Sequence, residues 1–340
     1  MLLFLCALTV VAGVASLGAR DRRAHPQSQK GVSQGSSTES LIKPAVVLKN
    51  SPGTEPESPA NTAATAQNVV LRTELTWAFG GKPQQGWYLY DSLISQTLNS
   101  PEDASTDNFA STVTTWQKQK GLSANGILDQ HCLMALVAQW QSNRLKDKSL
   151  ATPDQLQTVP PSDFYDPARL AELRQVERHT YESYKQMLAA AIADPELHLA
   201  HTSSGELAPT EKYLKIVSAF RSRDYQEQLR RQSPNSGSAG LAVNSPHFTG
   251  RALDLYVGGD PVDTKDSNRA IQVNTPVYQW LVRNAARFGF RPYFYEPWHW
   301  EYVGTHASGV FKVSLPPPLR PARARPRRAY RDLVIILPPV

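Results

Sequence analysis

Cysteine is almost missing from this 340-residue chain: there are two, Cys6 and Cys132. No disulfide framework and no cysteine-based metal site can be built from so few. Also missing are a glycine-rich phosphate loop, a nucleophile elbow set between a strand and a helix, and a His-Glu-x-x-His helix motif. Their absence removes P-loop nucleotide chemistry, hydrolase-fold serine catalysis and the zincin class. No Lys or Arg precedes the apolar run of residues 1–19, whereas Arg20, Arg22 and Arg23 follow it. That run reads as an export signal or membrane anchor, although the flanking charges are the reverse of the usual orientation signal.

Acidic residues are scarce only in the tail. The net charge is +6, and Arg320, Arg323, Arg325, Arg327, Arg328 and Arg331 face only Asp332 in the tail. This run is spaced by Pro and terminal, not a set of basic residues interleaved with aromatics on a folded face, so a nucleic-acid partner is not expected. It suits a solvated tail or one drawn to anionic surfaces.

Six segments follow from composition. Residues 1–23 are the signal peptide or membrane anchor. Residues 24–70 are rich in Ser, Pro, Thr, Gln and Ala, and read as a disordered linker. Residues 74–145 read as a small all-α domain. Its helices are expected around Trp87–Leu98, over 109–120 with Gly121 as the stop, and near 131–140. A Pro-bearing linker over 146–162 leads to a larger domain, 160–315, and a basic Pro/Arg-rich tail, 316–340, closes the chain. In the larger domain, Asp166-Pro167 reads as a helix start, with the helix running to about Ala193. Strands are expected over 213–220, 251–257, 290–293 and 298–303. A helix capped by Thr275, with Pro276 at its first position, is expected to end at Gly289. Helices and strands without regular alternation make an α+β domain.

A hydrolytic zinc site needs three protein ligands, an open position and a nearby base that is not itself a ligand. His247 precedes the turn that Gly250 would make, and Asp254 lies in the strand after it. Glu296 precedes a proline, which biases it to extended backbone. Side chains then alternate: His299 faces one way, Trp298 and Trp300 the other. Glu301 shares the His299 face, where it can orient that ligand. Other groupings are weaker. His198 and His201 have no carboxylate partner, and Asp260, Asp263 and Asp266 do not fit a calcium loop.

Two resemblances follow. Trp116-Gln117, Gly121-Leu122 and Asn125-Gly126-Ile127, then Leu133 and Leu136, resemble the three-helix peptidoglycan-binding domain. Asn125 stands where that family usually has Asp, and Asp129 where Gly is common. Ser245-x-His247-x-x-Gly250-x-Ala252-x-Asp254 and Glu296-x-Trp298-His299 resemble the VanY-type zinc D-alanyl-D-alanine carboxypeptidases. Ser218-Ala219-Phe220-Arg221-Ser222 with Gln226 resembles a third block of that family, with Ala219 in place of the usual Gly. The second resemblance implies one zinc ion held by His247, Asp254 and His299, with Glu296 as catalytic base and Arg221 stabilising the oxyanion. Gln226 and Ser245 would bind substrate or orient His247. The implied activity is removal of terminal D-alanine from peptidoglycan stem peptides by an exported enzyme. L,D-carboxypeptidase, endopeptidase and non-catalytic wall-binding readings stay open, and the oligomeric state is not legible.

Overall fold

The computed structural model describes residues 59–232 and 244–304. The signal or anchor segment, the linker before residue 59 and the basic tail lie outside the described residues. Among the described residues, no helix is long and apolar enough to cross a membrane.

The first helix, α1 (Pro59–Glu74), occupies the end of the segment expected to be a linker. Composition misleads here because a polar side chain does core work. Asn68 is fully buried. Its amide donates to Gly126 O at 2.8 Å and its carbonyl accepts from Leu128 N at 2.8 Å. A buried side chain that satisfies two backbone groups counts as interior. A hairpin that sequence reading missed follows: β1 (Thr76–Phe79) pairs antiparallel with β2 (Lys82–Gln85). Gly80 and Gly81 supply the positive φ angles, 57° and 76°, that a two-residue turn of this hand requires.

Three helices follow: α2 (Asp91–Leu98), α3 (Asp107–Lys120) and α4 (Gln130–Ser142). Thr106 caps α3 by accepting from Phe109 N, and Gly121 ends it at φ 68°. Asp129 caps α4 by accepting from Cys132 N. That gives this position a helix-starting role a glycine would fill less well. Between the two helices Gln117 is the clamp. Its carbonyl accepts from Gly126 N, and its amide donates to Ile127 O and Asn125 Oδ1. The Trp-Gln and Asn-Gly-Ile pieces of the sequence are therefore two halves of one buried hydrogen-bonded turn.

Residues 146–162, expected to link two domains, are packed against the fold. Ala151 N donates to Phe248 O at 2.8 Å, and Leu156 and Val159 are buried. Within this strap β3 (Leu156–Thr158) pairs with β4 (Gln175–Glu177). Proline favours extended backbone as readily as disorder, and here it serves the former. The same pairing corrects the expected helix from residue 166 to 193. The chain makes a short 3₁₀ turn at Ala171–Leu173, then β4, and only then α5 (Arg178–Ile192). Glu177 caps α5 by accepting from His179 N and Thr180 N.

The central sheet has four antiparallel strands in the order β5 (Ile216–Ser218), β6 (Ala252–Leu255), β8 (His299–Tyr302), β7 (Phe290–Pro292). Helix α6 (Arg223–Gln232) follows β5, and α7 (Asp266–Val273) with α8 (Pro276–Asn284) separate β6 from β7. Thr275 caps α8 from its side chain, with Pro276 at the first position, and Gly289 ends the following 3₁₀ turn at φ 80°. Leu253, Leu255, Phe290 and Trp300 form the apolar interior with Tyr184, Leu188 and Leu281. The whole is α+β. Residues 59–145 and the sheet region share one core. Phe294 packs against Phe79, Tyr90 and Trp140 with ring centroids 4.7, 5.4 and 5.8 Å apart. The buried Arg269 donates to Tyr90 Oη at 2.7 Å.

Candidate metal centre

Two strand neighbours begin the site. Asp254 on β6 and His299 on β8 are register partners, so their side chains meet on one face. His299 Nδ1 lies 2.9 Å from Asp254 Oδ1. His247 arrives from a 3₁₀ turn (Pro246–Thr249) just before β6, which Ser245 caps by accepting from His247 N at 3.3 Å. His247 Nε2 lies 3.3 Å from the same Asp254 Oδ1. Gly250 ends this turn at φ 65°, and a Cβ there would meet Leu156 Cδ2 at 2.7 Å and Glu177 N at 2.9 Å. Both strain and crowding oppose any larger residue. Gly250→Ala is therefore expected to destabilise the protein by roughly 2–4 kcal/mol in urea melts. A loss below about 0.5 kcal/mol would mean that the turn is not fixed as described.

The hydrogen bonds fix which ring nitrogens face inward. His247 Nδ1 lies 2.6 Å from Ala219 O. A carbonyl only accepts, so Nδ1 carries the hydrogen and Nε2 presents a lone pair. His299 Nε2 lies 3.1 Å from Glu301 Oε1, which leaves Nδ1 as its inward lone pair when the ring is neutral. With both rings neutral, three acceptor atoms converge: His247 Nε2, His299 Nδ1 and an Asp254 carboxylate oxygen. They lie within 4.8 Å of one another on buried residues, and form the one such group of three among the described residues. Burial, then the Arg221 guanidinium, push the His247 imidazole down to about 4, so it is neutral at pH 7. Burial also lowers His299, but its bonds to Asp254 and Glu301 outweigh that and raise it to about 9. Burial opposes ionisation of Asp254, but His247 and Arg221 outweigh it and hold the carboxyl well below its usual range. The pocket favours positive charge. A single proton on His299 satisfies one lone-pair contact and leaves the His247 contact unmet. A divalent ion satisfies both, and binding it displaces that proton. The donor set, two imidazoles and a carboxylate, suits zinc or a similar transition metal.

Around this centre stand the other expected residues. Arg221, just beyond β5, is buried. It donates from Nε to Ser218 Oγ at 2.9 Å, from Nη2 to Asp254 Oδ2 at 2.6 Å and from Nη1 to Gln226 Oε1 at 3.4 Å. Gln226 is itself buried on α6. Glu296 sits in a turn before β8, where Glu296 N donates to Tyr293 O and His299 N donates to Glu296 O. The residue is only 6% exposed, and its Oε1 has no hydrogen-bond partner. Burial pushes this carboxyl up to about 8, and the positive charges of His299 and Arg221 offset that only in part. A buried, unsatisfied acceptor beside a ligand set marks a group reserved for something that arrives.

The raised Glu296 has a measurable consequence. From the ordinary 4.5 up to about 8, the folded protein holds a proton that the unfolded chain releases. This contribution to stability therefore falls as pH rises through that window. In metal-free melts, wild type is expected to lose up to a few kcal/mol relative to Glu296→Gln across the window. Parallel stability curves for the two proteins would refute the assignment.

The structure separates the remaining expectations from the site. His201 Nδ1 bonds Leu199 O, and His198 ends a 3₁₀ turn at φ 50°. Asp263 accepts from Lys265 N, and Asp266 pairs with Arg269. Sequence reasoning missed Arg144. Its guanidinium holds Glu301, donating from Nε to Oε1 at 3.0 Å and also through Nη2, while Leu145 N donates to Oε2 at 2.9 Å. Burial would raise the Glu301 carboxyl, but His299 and Arg144 outweigh it and hold it down at about 2. No local motif signals Arg144, which lies 157 positions from its partner.

Residues 174–305 match the model of the VanY family, D-alanyl-D-alanine carboxypeptidase. The matched span contains β4 through β8 with His247, Asp254, His299, Glu296 and Arg221. It does not include residues 59–145. No curated protein matches the chain.

Proposed function

We propose that this protein is an exported zinc D,D-carboxypeptidase that removes terminal D-alanine from peptidoglycan stem peptides. The observation that carries this reading is the convergence of three lone-pair donors, His247 Nε2, His299 Nδ1 and Asp254 Oδ1, beside the unsatisfied carboxyl of Glu296. The family match over residues 174–305 supports the choice of bond. Bound by these three residues, zinc would polarise the scissile carbonyl and acidify the attacking water.

The chain's own groups would do the rest. Glu296 takes a proton from the attacking water and returns it to the leaving amine. Burial raises this carboxyl in the metal-free fold, and a bound cation beside it would favour the ionised, proton-accepting form. Arg221 has five N–H donors in a fixed fork, and its bonds to Ser218, Gln226 and Asp254 hold that fork at the edge of the site. From there it stabilises the negative oxygen of the tetrahedral intermediate. Gln226 and Ser245 keep Arg221 and the His247 turn in place and border the substrate. We also propose that the helical region over 74–145 rests on peptidoglycan, a reading supported by the Gln117-clamped turn.

Removing the metal tests the reading. Full-length protein is incubated with muropeptides ending in D-Ala-D-Ala, and the products are identified by mass. Loss of one alanine is expected, abolished by a chelator and restored by zinc. Release that persists after the metal content reaches zero, or cleavage at another bond, would overturn it.

A further inference from the structure

The metal centre is completed from outside the family-matched span. Glu301 is fully buried on β8, and both of its oxygens are engaged. Oε1 meets His299 Nε2 and Arg144; Oε2 meets Leu145 N. Residues 144 and 145 follow directly on α4, the last helix of the region that precedes the matched span. The guanidinium is itself fixed on three sides. Nη1 donates to Gln141 Oε1 at 3.0 Å, the fork grips Glu301, and the planar group stacks 3.9 Å over the Tyr293 ring. Tyr293 in turn packs edge-on against His299, centroids 5.9 Å apart.

We infer that Arg144 is a positioning residue for the metal centre: through Glu301 it fixes the ring orientation and tautomer of His299, so that Nδ1 stays aimed at the ion. The geometry leaves little else to hold Glu301. A carboxylate buried without its cation and its fork of donors is a strongly unfavourable arrangement. Without Arg144, Glu301 keeps only the Leu145 amide as an anchor besides His299 itself. The carboxylate then turns, and the imidazole loses the acceptor that aligned it. Partners of metal-bound histidines act in this way, and their loss costs both affinity and turnover. Lysine cannot replace the arginine fully, because the planar fork and the stacking on Tyr293 both belong to guanidinium.

The inference rests on the metallopeptidase reading for its kinetic arm only; metal affinity and spectrum are independent of it. In the full chain, Arg144→Ala is expected to weaken zinc binding by about 10- to 100-fold, measured by chelator competition. The visible bands of the cobalt(II)-substituted protein should shift. Turnover kcat should fall by a similar factor while KM moves less than about threefold. Arg144→Lys should recover part of the affinity. The double variant Arg144→Ala/Glu301→Gln should be no worse than Glu301→Gln alone, because Arg144 acts through Glu301. Should Arg144→Ala fail to fold by circular dichroism, Arg144→Lys carries the test. A folded Arg144→Ala or Arg144→Lys with wild-type metal affinity and cobalt spectrum overturns the inference, as does full additivity in the double variant. A wild type without peptidase activity but with an Arg144-dependent cobalt spectrum would sink the functional reading and leave this one standing.

Discussion

Replacing Glu296 by Gln is expected to lower turnover by about 10²- to 10⁴-fold, with zinc still bound at one ion per chain. The substitution keeps the shape of the side chain and removes its capacity to accept a proton. The residue is buried, and Oε1 has no partner in the fold, so the carboxyl is not needed for packing or for a structural bond. An isosteric amide should therefore leave the fold intact. It should even stabilise the metal-free protein at alkaline pH, for the reason given above. Metal content by atomic absorption and alanine release by mass would be measured on the same preparation. Retained turnover within about tenfold would move the base elsewhere. Lost zinc would mean that Glu296 belongs to the ligand set.

The second large effect concerns the part of the chain before the matched span. A fragment beginning at residue 160 is expected neither to melt cooperatively nor to bind metal. It would expose Phe294, now 2% exposed against Phe79, Tyr90 and Trp140, and Tyr295, which stacks with Phe79. It would strip Arg269 of Tyr90 and Glu301 of Arg144 and Leu145 N, and it would remove β3 from its pairing with β4. Emptying the packing around one large aromatic costs about 3–5 kcal/mol. A carboxylate left buried without its cation costs a similar amount. Together these are comparable with the roughly 5–15 kcal/mol by which a domain is stable. The full chain should unfold in a single calorimetric transition over residues 59–304. A folded, zinc-binding fragment would refute the shared core.

The grouping of the candidate site residues was more legible than the architecture. His247, Asp254, Glu296 and His299 stand in two short stretches, and strand alternation alone put His299 and Glu301 on one face. Cross-strand register then did the assembly, bringing Asp254 opposite His299. What escaped the sequence depended on distant partners. Asn68 looks like linker composition until Gly126 and Leu128 are seen on either side of it. Val176 reads as an inward helix position, yet it lies opposite Gln157 in a strand pair. The prolines of 146–162 suggested slack, whereas the segment bonds to Phe248 and pairs with β4. Arg144 carries no motif at all, and only the fold brings it to Glu301.

That strap also changes what binding to a polymer would mean for this protein. A flexible tether lets a catalytic site roam, and its benefit is local concentration. Here residues 146–162 are laid down as part of the fold, and aromatic packing joins the helices to the sheet on both sides of Phe294. A glycan strand resting on the helical surface would meet the metal centre at one offset only. Peptides at that spacing would then be trimmed and their neighbours passed over, and the connection would work as a gauge rather than a leash.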